Sequence, residues 1–194
     1  PSLLTKVVDK LDSIPMEDRD MKGDIYEYML GQLTTQGKNG QFRTPRHIVK
    51  LIVEMSKPTA ADTICDPACG TCGFLIEAGE YLRNTDKTLF TDEEKLNHFK
   101  EKMFTGFDFD PTMLRLGSMN MFLHGAEESK IDNLDCLSKN AAEIEGQFSL
   151  ILANPPFAGS LDYEDTSPKL QRVIKTKKTE LLFMAMFLQL LKPG

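Results

Sequence analysis

The sequence predicts an α/β fold: a doubly wound, mostly parallel sheet with a short N-terminal helical stub ahead of it. Three observations carry this expectation. Short apolar runs alternate with longer segments of helical spacing, the pattern of strands joined by crossover helices. The first run stops at Asp66 and enters a glycine-rich turn before a helical stretch. A later run, residues 148 to 152, leads into Asn154-Pro155-Pro156-Phe157. Ligands of open α/β sheets bind at the carboxyl ends of strands, so both stops mark candidate sites.

Residues 1 to 40 show helical spacing in Leu3, Leu4, Val7, Val8 and Leu11, then in Ile25, Met29, Leu30 and Leu33, until Gly37 and Gly40 break it. They are expected to be the remnant of a helical domain, with the main domain over residues 41 to 194. From Pro45 a helix should run through Ile48, Val49, Ile52 and Val53, with proline suited to its first turn. Residues 63 to 65 read as a strand ending at Asp66, and 74 to 83 as a helix. The polar segment 84 to 102 has room for a further short helix before a strand at 103 to 107 and a helix at 111 to 124. An edge strand is expected at 131 to 134, a buried strand at 148 to 152 and a buried helix at 181 to 191. There is no internal repeat.

At 194 residues, 41% hydrophobic and 27% charged, the composition is that of one substantial globular domain. The longest apolar run, 181 to 191, is interrupted by Gln189 and too short to span a bilayer, and no basic-then-apolar leader opens the chain. A cytoplasmic protein with no membrane partner is expected. The net charge of −6 argues against self-sufficient nucleic-acid binding, which needs clustered Lys and Arg. If the substrate is DNA, a partner must supply much of the grip. The start at Pro1 and the stop after Leu191-Lys192-Pro193 suggest a domain truncated at its C-terminus.

The two strand ends carry the chemistry. In Asp66-Pro67-Ala68-Cys69-Gly70-Thr71-Cys72-Gly73, Gly70 and Gly73 let main chain approach a ligand closely, and Gly73 lies where helix N–H groups point at it. The spacing is not the dinucleotide fingerprint; an acid at the strand end suits a cationic amino acid moiety such as the ammonium of S-adenosyl-L-methionine. The alternative is a plain tight turn. After the second strand, Asp108 can accept from both ribose hydroxyls while a neighbouring aromatic, Phe109, flanks an adenine; the alternative is a surface acid. It lies later than the usual ~20 residues because the segment 84 to 102 intervenes. Asp110 before Pro111 reads as a helix N-cap. At Asn154-Pro155-Pro156-Phe157 the prolines hold the chain extended with free carbonyls. An amide oxygen, a rigid carbonyl and a ring face then suit a planar group bearing an NH2: an adenine, a cytosine or a carboxamide.

Cys65, Cys69 and Cys72 spell C-x3-C-x2-C, the spacing of a radical-enzyme iron–sulfur site. Thr71 stands where such sites usually carry an aromatic residue, and Cys65 belongs to an apolar strand. Cys69 and Cys72 read as small residues of a glycine turn, where alanine would serve equally, and Cys136 stands alone. Four reduced thiols and no metal are expected. The three histidines form no constellation.

Taken in order, Gln41-Phe42-Arg43-Thr44-Pro45-Arg46, the turn from Asp66 through Gly73-Phe74-Leu75, Gly106-Phe107-Asp108, Asp135-Cys136-Leu137 and Asn154-Pro155-Pro156-Phe157 resemble the modification (M) subunit of type I restriction-modification systems. These are S-adenosyl-L-methionine-dependent DNA adenine-N6 methyltransferases with a Rossmann-like methyltransferase fold. The resemblance runs from about Gln41 to Gly194. It implies that Gln41, Phe42, Arg43, Thr44, Pro45 and Arg46 close over the methionine part of the cofactor, and that Cys69, Gly70 and Thr71, beside Asp66, Ala68 and Gly73, line it. It implies further that Asp108 holds the ribose and Asp135 sits near the adenine. Asp108 stands where the family commonly has glutamate, which predicts a looser or water-mediated ribose contact. The implied partners are DNA, a specificity subunit, a second copy of the M subunit and, in the full complex, a restriction subunit.

On that basis the Asn154 oxygen and Pro155 carbonyl would each accept a hydrogen from N6 of a flipped-out adenine, and Phe157 would stack on the base. Lys169, Arg172, Lys175, Lys177 and Lys178 read first as a solvated mobile loop and second as phosphate contacts. Two other activities share features with this one. Protein glutamine-N5 methyltransferases carry Asn-Pro-Pro-aromatic and some RNA guanine-N2 methyltransferases share the tetrapeptide, and the remaining alternative is a cofactor-binding fragment inactive alone.

Overall fold

The computed structural model describes residues 3–12, 23, 25, 26, 28, 29, 44–139, 141, 144–157 and 166–193. They fall into two compact units, Pro1–Gln41 and Phe42–Gly194. In the first, helix α1 spans Leu3–Asp12. Its spacing puts Leu4 and Val8 on one exposed face.

The second unit is built on four parallel strands, β1 (Ile64–Asp66), β2 (Phe104–Asp108), β3 (Lys130–Asn133) and β4 (Leu150–Ile151), in the spatial order β3-β2-β1-β4. Successive strand residues point to opposite faces, and the core follows that rule. Ile64, Phe104 and Leu150 join one apolar cluster with Val49, Phe74 and Met121. Cys65, Phe107 and Ile151 join a second with Leu170, Leu182 and Phe183. Helices α2 (Arg46–Ser56), α3 (Gly73–Thr85), α4 (Glu93–Glu101) and α5 (Pro111–Leu123) supply the first layer; α6 (Pro168–Val173) and α7 (Thr179–Leu190) supply the second. Helices on both faces of a parallel sheet make the fold doubly wound.

Local chemistry explains the boundaries. Pro45 is the N-cap of α2 rather than a residue of its first turn, with ψ at 136°, and Lys57 closes the helix in the left-handed region at φ 50°. Asp92 caps α4 by accepting from the Glu94 and Lys95 amides. Asp110 caps α5, accepting from the Thr112 N–H at 2.7 Å with Pro111 in the first turn. Strand β2 runs one residue later than its sequence suggests, so Asp108 is its last residue.

Three expectations change. The strand expected at 148 to 152 pairs only at Leu150 and Ile151, both half-buried, because β4 has β1 on one side alone among the described residues. Phe148 instead bridges to Leu191, buried beneath α7. Helix α7 is not buried all round: Leu182, Phe183 and Met186 face the core, while Leu181, Met184 and Leu188 form an exposed stripe. The basic stretch begins as a helix, not a loop, since α6 sinks Leu170 into the second core and Lys169 pairs with Glu145 at 2.8 Å. Arg172, Lys175, Lys177 and Lys178 are exposed.

Candidate active site at a strand switch point

The strand order reverses at β1. From β1 the chain moves outward through β2 to β3, then returns to lay β4 on the other flank of β1. The crevice between β1 and β4 is therefore the topological switch point, where doubly wound sheets hold their ligands. Cys65 is in register with Ile151, and the Leu152 N–H donates to the Cys65 carbonyl at 3.0 Å. Asp66 and the turn it opens thus stand beside the segment leading to Asn154.

The turn is held from behind. The Cys69 N–H donates to the Phe107 carbonyl at 2.9 Å, and the Gly70 N–H donates to Asp108 Oδ2 at 2.9 Å. Gly70 sits at φ 51° and Cys72 at φ 64°, so the chain turns through two left-handed positions to launch α3. No side chain caps the N-terminus of α3, and a Cβ at Gly70 or Gly73 would meet no heavy atom within 4 Å. The turn presents an open cradle bordered by helix amides. Beneath it the Asn120 side-chain nitrogen, fully buried, donates to the Thr71 carbonyl at 2.9 Å, while its Oδ1 has no partner among the described residues.

Two carboxylates border the cradle. Asp66 is 2% exposed, and burial pushes its carboxyl up to about 7, with the charge of Asp108 adding to the rise and the Ala68 N–H, 3.0 Å from Oδ1, opposing it. Asp108 uses both oxygens on main chain, Oδ2 on Gly70 and Oδ1 on the Asp110 N–H at 2.9 Å. The acid expected at the ribose is therefore also the tie between β2 and the turn. Phe109 beside it is 68% exposed. Asp135 is exposed, and its Oδ1 accepts from the Leu137 N–H at 3.0 Å, which closes a turn beyond β3.

Across the crevice, Asn154 and Pro155 are half-buried and Pro156 exposed, while the Phe157 ring is 68% exposed. The Asn154 Nδ2 donates to Thr44 Oγ1 at 2.9 Å, joining the tetrapeptide to the segment that opens α2. Thr44, Pro45 and Arg46 are described there; Gln41, Phe42 and Arg43 lie outside the described residues. The structure thus brings the glycine turn, Asp66 and Asp108 together at one strand end, and Thr44 with Asn154 at the next.

The cysteines do not converge. Cys65 lies in one core and Cys69 and Cys72 in the other, on opposite faces of the sheet. No group of three metal-ligating side chains assembles among the described residues. Nor would alanine serve equally in the turn. A Cβ on Gly106 would come within 2.9 Å of Cys69 Sγ, and one on Gly117 within 2.7 Å of Cys72 Sγ and 2.9 Å of the Gly70 carbonyl. The thiols fill notches left by two glycines. Sequence inspection overlooked Gly117 and Asn120, which are spaced i, i+3 on α5 so that both face the turn. Their signal was a small and a polar residue breaking an apolar helix.

With this geometry in place, residues 17–194 match the family model described as N-6 DNA Methylase. The chain belongs to the N-6 DNA methylase family. Among its relatives, the methylase subunit of the type I restriction enzyme EcoEI from Escherichia coli is 30% identical over 194 residues, 98% of this chain and 39% of that protein. The StySPI methylase subunit from Salmonella potsdam is 31% identical over 207 residues, covering all of this chain and 39% of that one. The chain thus spans 39% of the length of these curated relatives. Among solved structures, the type I EcoKI M protein superposes with a TM-score of 0.71 at 29% identity, over 79% of this chain and 32% of that one. A chain from a study of assembly and conformational transition in the type I R-M system reaches 0.80 at 30% identity, over 97% and 38%. The family match contains every motif from Gln41 to Phe157.

Proposed function

We propose that this chain is the catalytic part of a site-specific DNA methyltransferase of a restriction-modification system, moving a methyl group from S-adenosyl-L-methionine to N6 of an adenine flipped out of the duplex. The observation that carries it is the meeting, at one switch point, of the Asp66 turn with Asn154-Pro155-Pro156-Phe157. Membership of the N-6 DNA methylase family supports it. So does the donor set of the turn: an open cradle at Gly70 and Gly73, uncapped helix amides and a buried carboxylate fit a ligand with a cationic amino acid end.

When bound, the cofactor supplies an electrophilic methyl on a positively charged sulfur. Asp66 would face the ammonium, and ion pairing there would favour its charged form. Ala68, Cys69, Gly70, Thr71 and Gly73 would line the amino acid part, and the segment from Gln41 to Arg46 would close over it. Asp108 has lone pairs left beyond its two amide contacts to receive ribose hydroxyls, while Phe109 and Asp135 border the adenine. At the reacting centre, Asn154 Oδ1 and the Pro155 carbonyl accept the two N6 hydrogens, which frees the nitrogen lone pair and stabilises the positive charge that develops on it. The proton that N6 must shed on methylation would pass to water. Pro156 stiffens the strand exit, and Phe157 offers its exposed ring to the base.

The partners proposed are DNA, a specificity subunit, a second copy of the M subunit and a restriction subunit. A net charge of −6 fits a chain that relies on others to hold phosphate. The test is methyl transfer from labelled S-adenosyl-L-methionine by the full-length chain, with and without its specificity subunit, followed by separation of the products. Label in N6-methyladenine of DNA is the expected result. Label in protein glutamine or RNA guanine would replace this function, and transfer absent from the complete assembly would reduce the chain to a cofactor-binding role.

A further inference from the structure

We propose that Thr44 is a positioning residue whose hydroxyl, by accepting from Nδ2, holds the Asn154 carboxamide with its oxygen end free for the base. The proposal rests on the function given above, in which the Asn154 oxygen accepts from N6. The two ends of a carboxamide have nearly the same shape and opposite hydrogen-bonding character. Rotation about the last torsion of asparagine is soft and roughly two-fold, so the wrong orientation costs little by itself. That orientation would aim an NH2 at an NH2, with no proton acceptor for N6.

In the structure the nitrogen end is the one engaged. Asn154 Nδ2 donates to Thr44 Oγ1 at 2.9 Å, across 110 residues of sequence, and Oδ1 has no partner among the described residues. Occupying the nitrogen end turns the oxygen end outward. The acceptor is rigidly mounted, because Thr44 precedes Pro45, which restricts its backbone. Pro45 in turn caps α2, and that helix is anchored by Val49 and Val53 in the core. The carboxamide is therefore aligned only while the start of α2 is in place.

The experiment uses the full-length chain in its assembly with a cognate duplex. It compares wild type with Thr44→Val, which keeps the shape and removes the hydroxyl, Thr44→Ala, which adds no bulk, and Thr44→Ser, which keeps the hydroxyl. Cofactor affinity, flipping of a 2-aminopurine target and the single-turnover methylation rate at saturating cofactor are measured for each. Both hydroxyl-deleting variants should lose about 10- to 100-fold in single-turnover rate, a range comparable to loss of one positioned donor or base. Flipping should stay within about twofold, saturating cofactor removes any contribution from the place of Thr44 in the segment over the cofactor, and Thr44→Ser should recover most of the rate. A valine or alanine variant as fast as wild type overturns the proposal, as does a rate loss that vanishes at saturating cofactor. Wild-type label found anywhere other than adenine N6 overturns the underlying function instead, and the proposal with it.

Discussion

Asp66 is a carboxyl held out of water at the end of β1, and its titration has a worked sign. Raised from its ordinary value to about 7, it keeps a proton in the folded chain that the unfolded chain releases above roughly pH 4. Its contribution therefore favours folding below about pH 4 and is lost as pH rises towards 7, by an amount on the order of 4 kcal/mol. A cationic ligand beside it reverses the cost, so cofactor affinity should weaken by up to about tenfold per unit as pH falls below 7 and level off above. Asp66→Asn should flatten that dependence, raise the melting temperature at pH 8 and weaken the cofactor. Calorimetric titrations and thermal melts from pH 5 to 8 check this, and an affinity independent of pH in that range would exclude a charge contact at Asp66. The buried thiols offer a second check. Burial raises Cys65 and Cys136, Cys136 to about 12, and the Cys72 side chain followed by burial raises Cys69, so native chain should resist a thiol reagent at pH 8 until it unfolds. At this scale the sequence exposed Asp66, Asp108 and Asn154 because each is a polar residue ending an apolar run. It concealed the Thr44 contact, since a hydrogen bond across 110 positions leaves no local pattern.

The elements most legible in sequence were those with a chemical stop. Asp110-Pro111 announced α5, and Asp66 with Gly70 and Gly73 announced the turn into α3. Elements without such punctuation were read less well. Helix α7 is apolar almost all round, so no stripe of polar residues revealed that Leu181, Met184 and Leu188 are exposed. Helix α6 was masked by its lysines, although buried Leu170 is what anchors it. Leu170→Ala should accordingly cost about 2–5 kcal/mol, whereas removing the half-exposed Lys169–Glu145 pair should cost far less. Gly117→Ala tests how tightly α5 is set against the turn. Its Cβ would strike the Gly70 carbonyl and Cys72 Sγ, so a loss of about 1–3 kcal/mol is expected together with weaker cofactor binding. Denaturant unfolding and a cofactor titration measure both, and an unchanged variant would show that α5 does not brace the turn.

For the molecule as a whole, the parallel order β3-β2-β1-β4 puts the glycine turn and the Asn154 tetrapeptide on neighbouring strand ends rather than in one loop. None of the described helices is long and apolar enough to cross a membrane. The chain spans 39% of the length of its curated relatives, and under the proposed function its net charge of −6 leaves phosphate contacts to partners. Because the two halves of the site sit on separate strands, binding and chemistry should separate on mutation: turn variants weaken cofactor, and tetrapeptide variants stop transfer. The most direct test is Asn154→Ala in the full-length assembly, read as cofactor affinity and as single-turnover methylation of a cognate duplex. The account predicts cofactor affinity within about twofold of wild type and a fall in methyl transfer of at least ~100-fold, as for loss of a preorganised charge-stabilising group. Methyl transfer near the wild-type rate would contradict it.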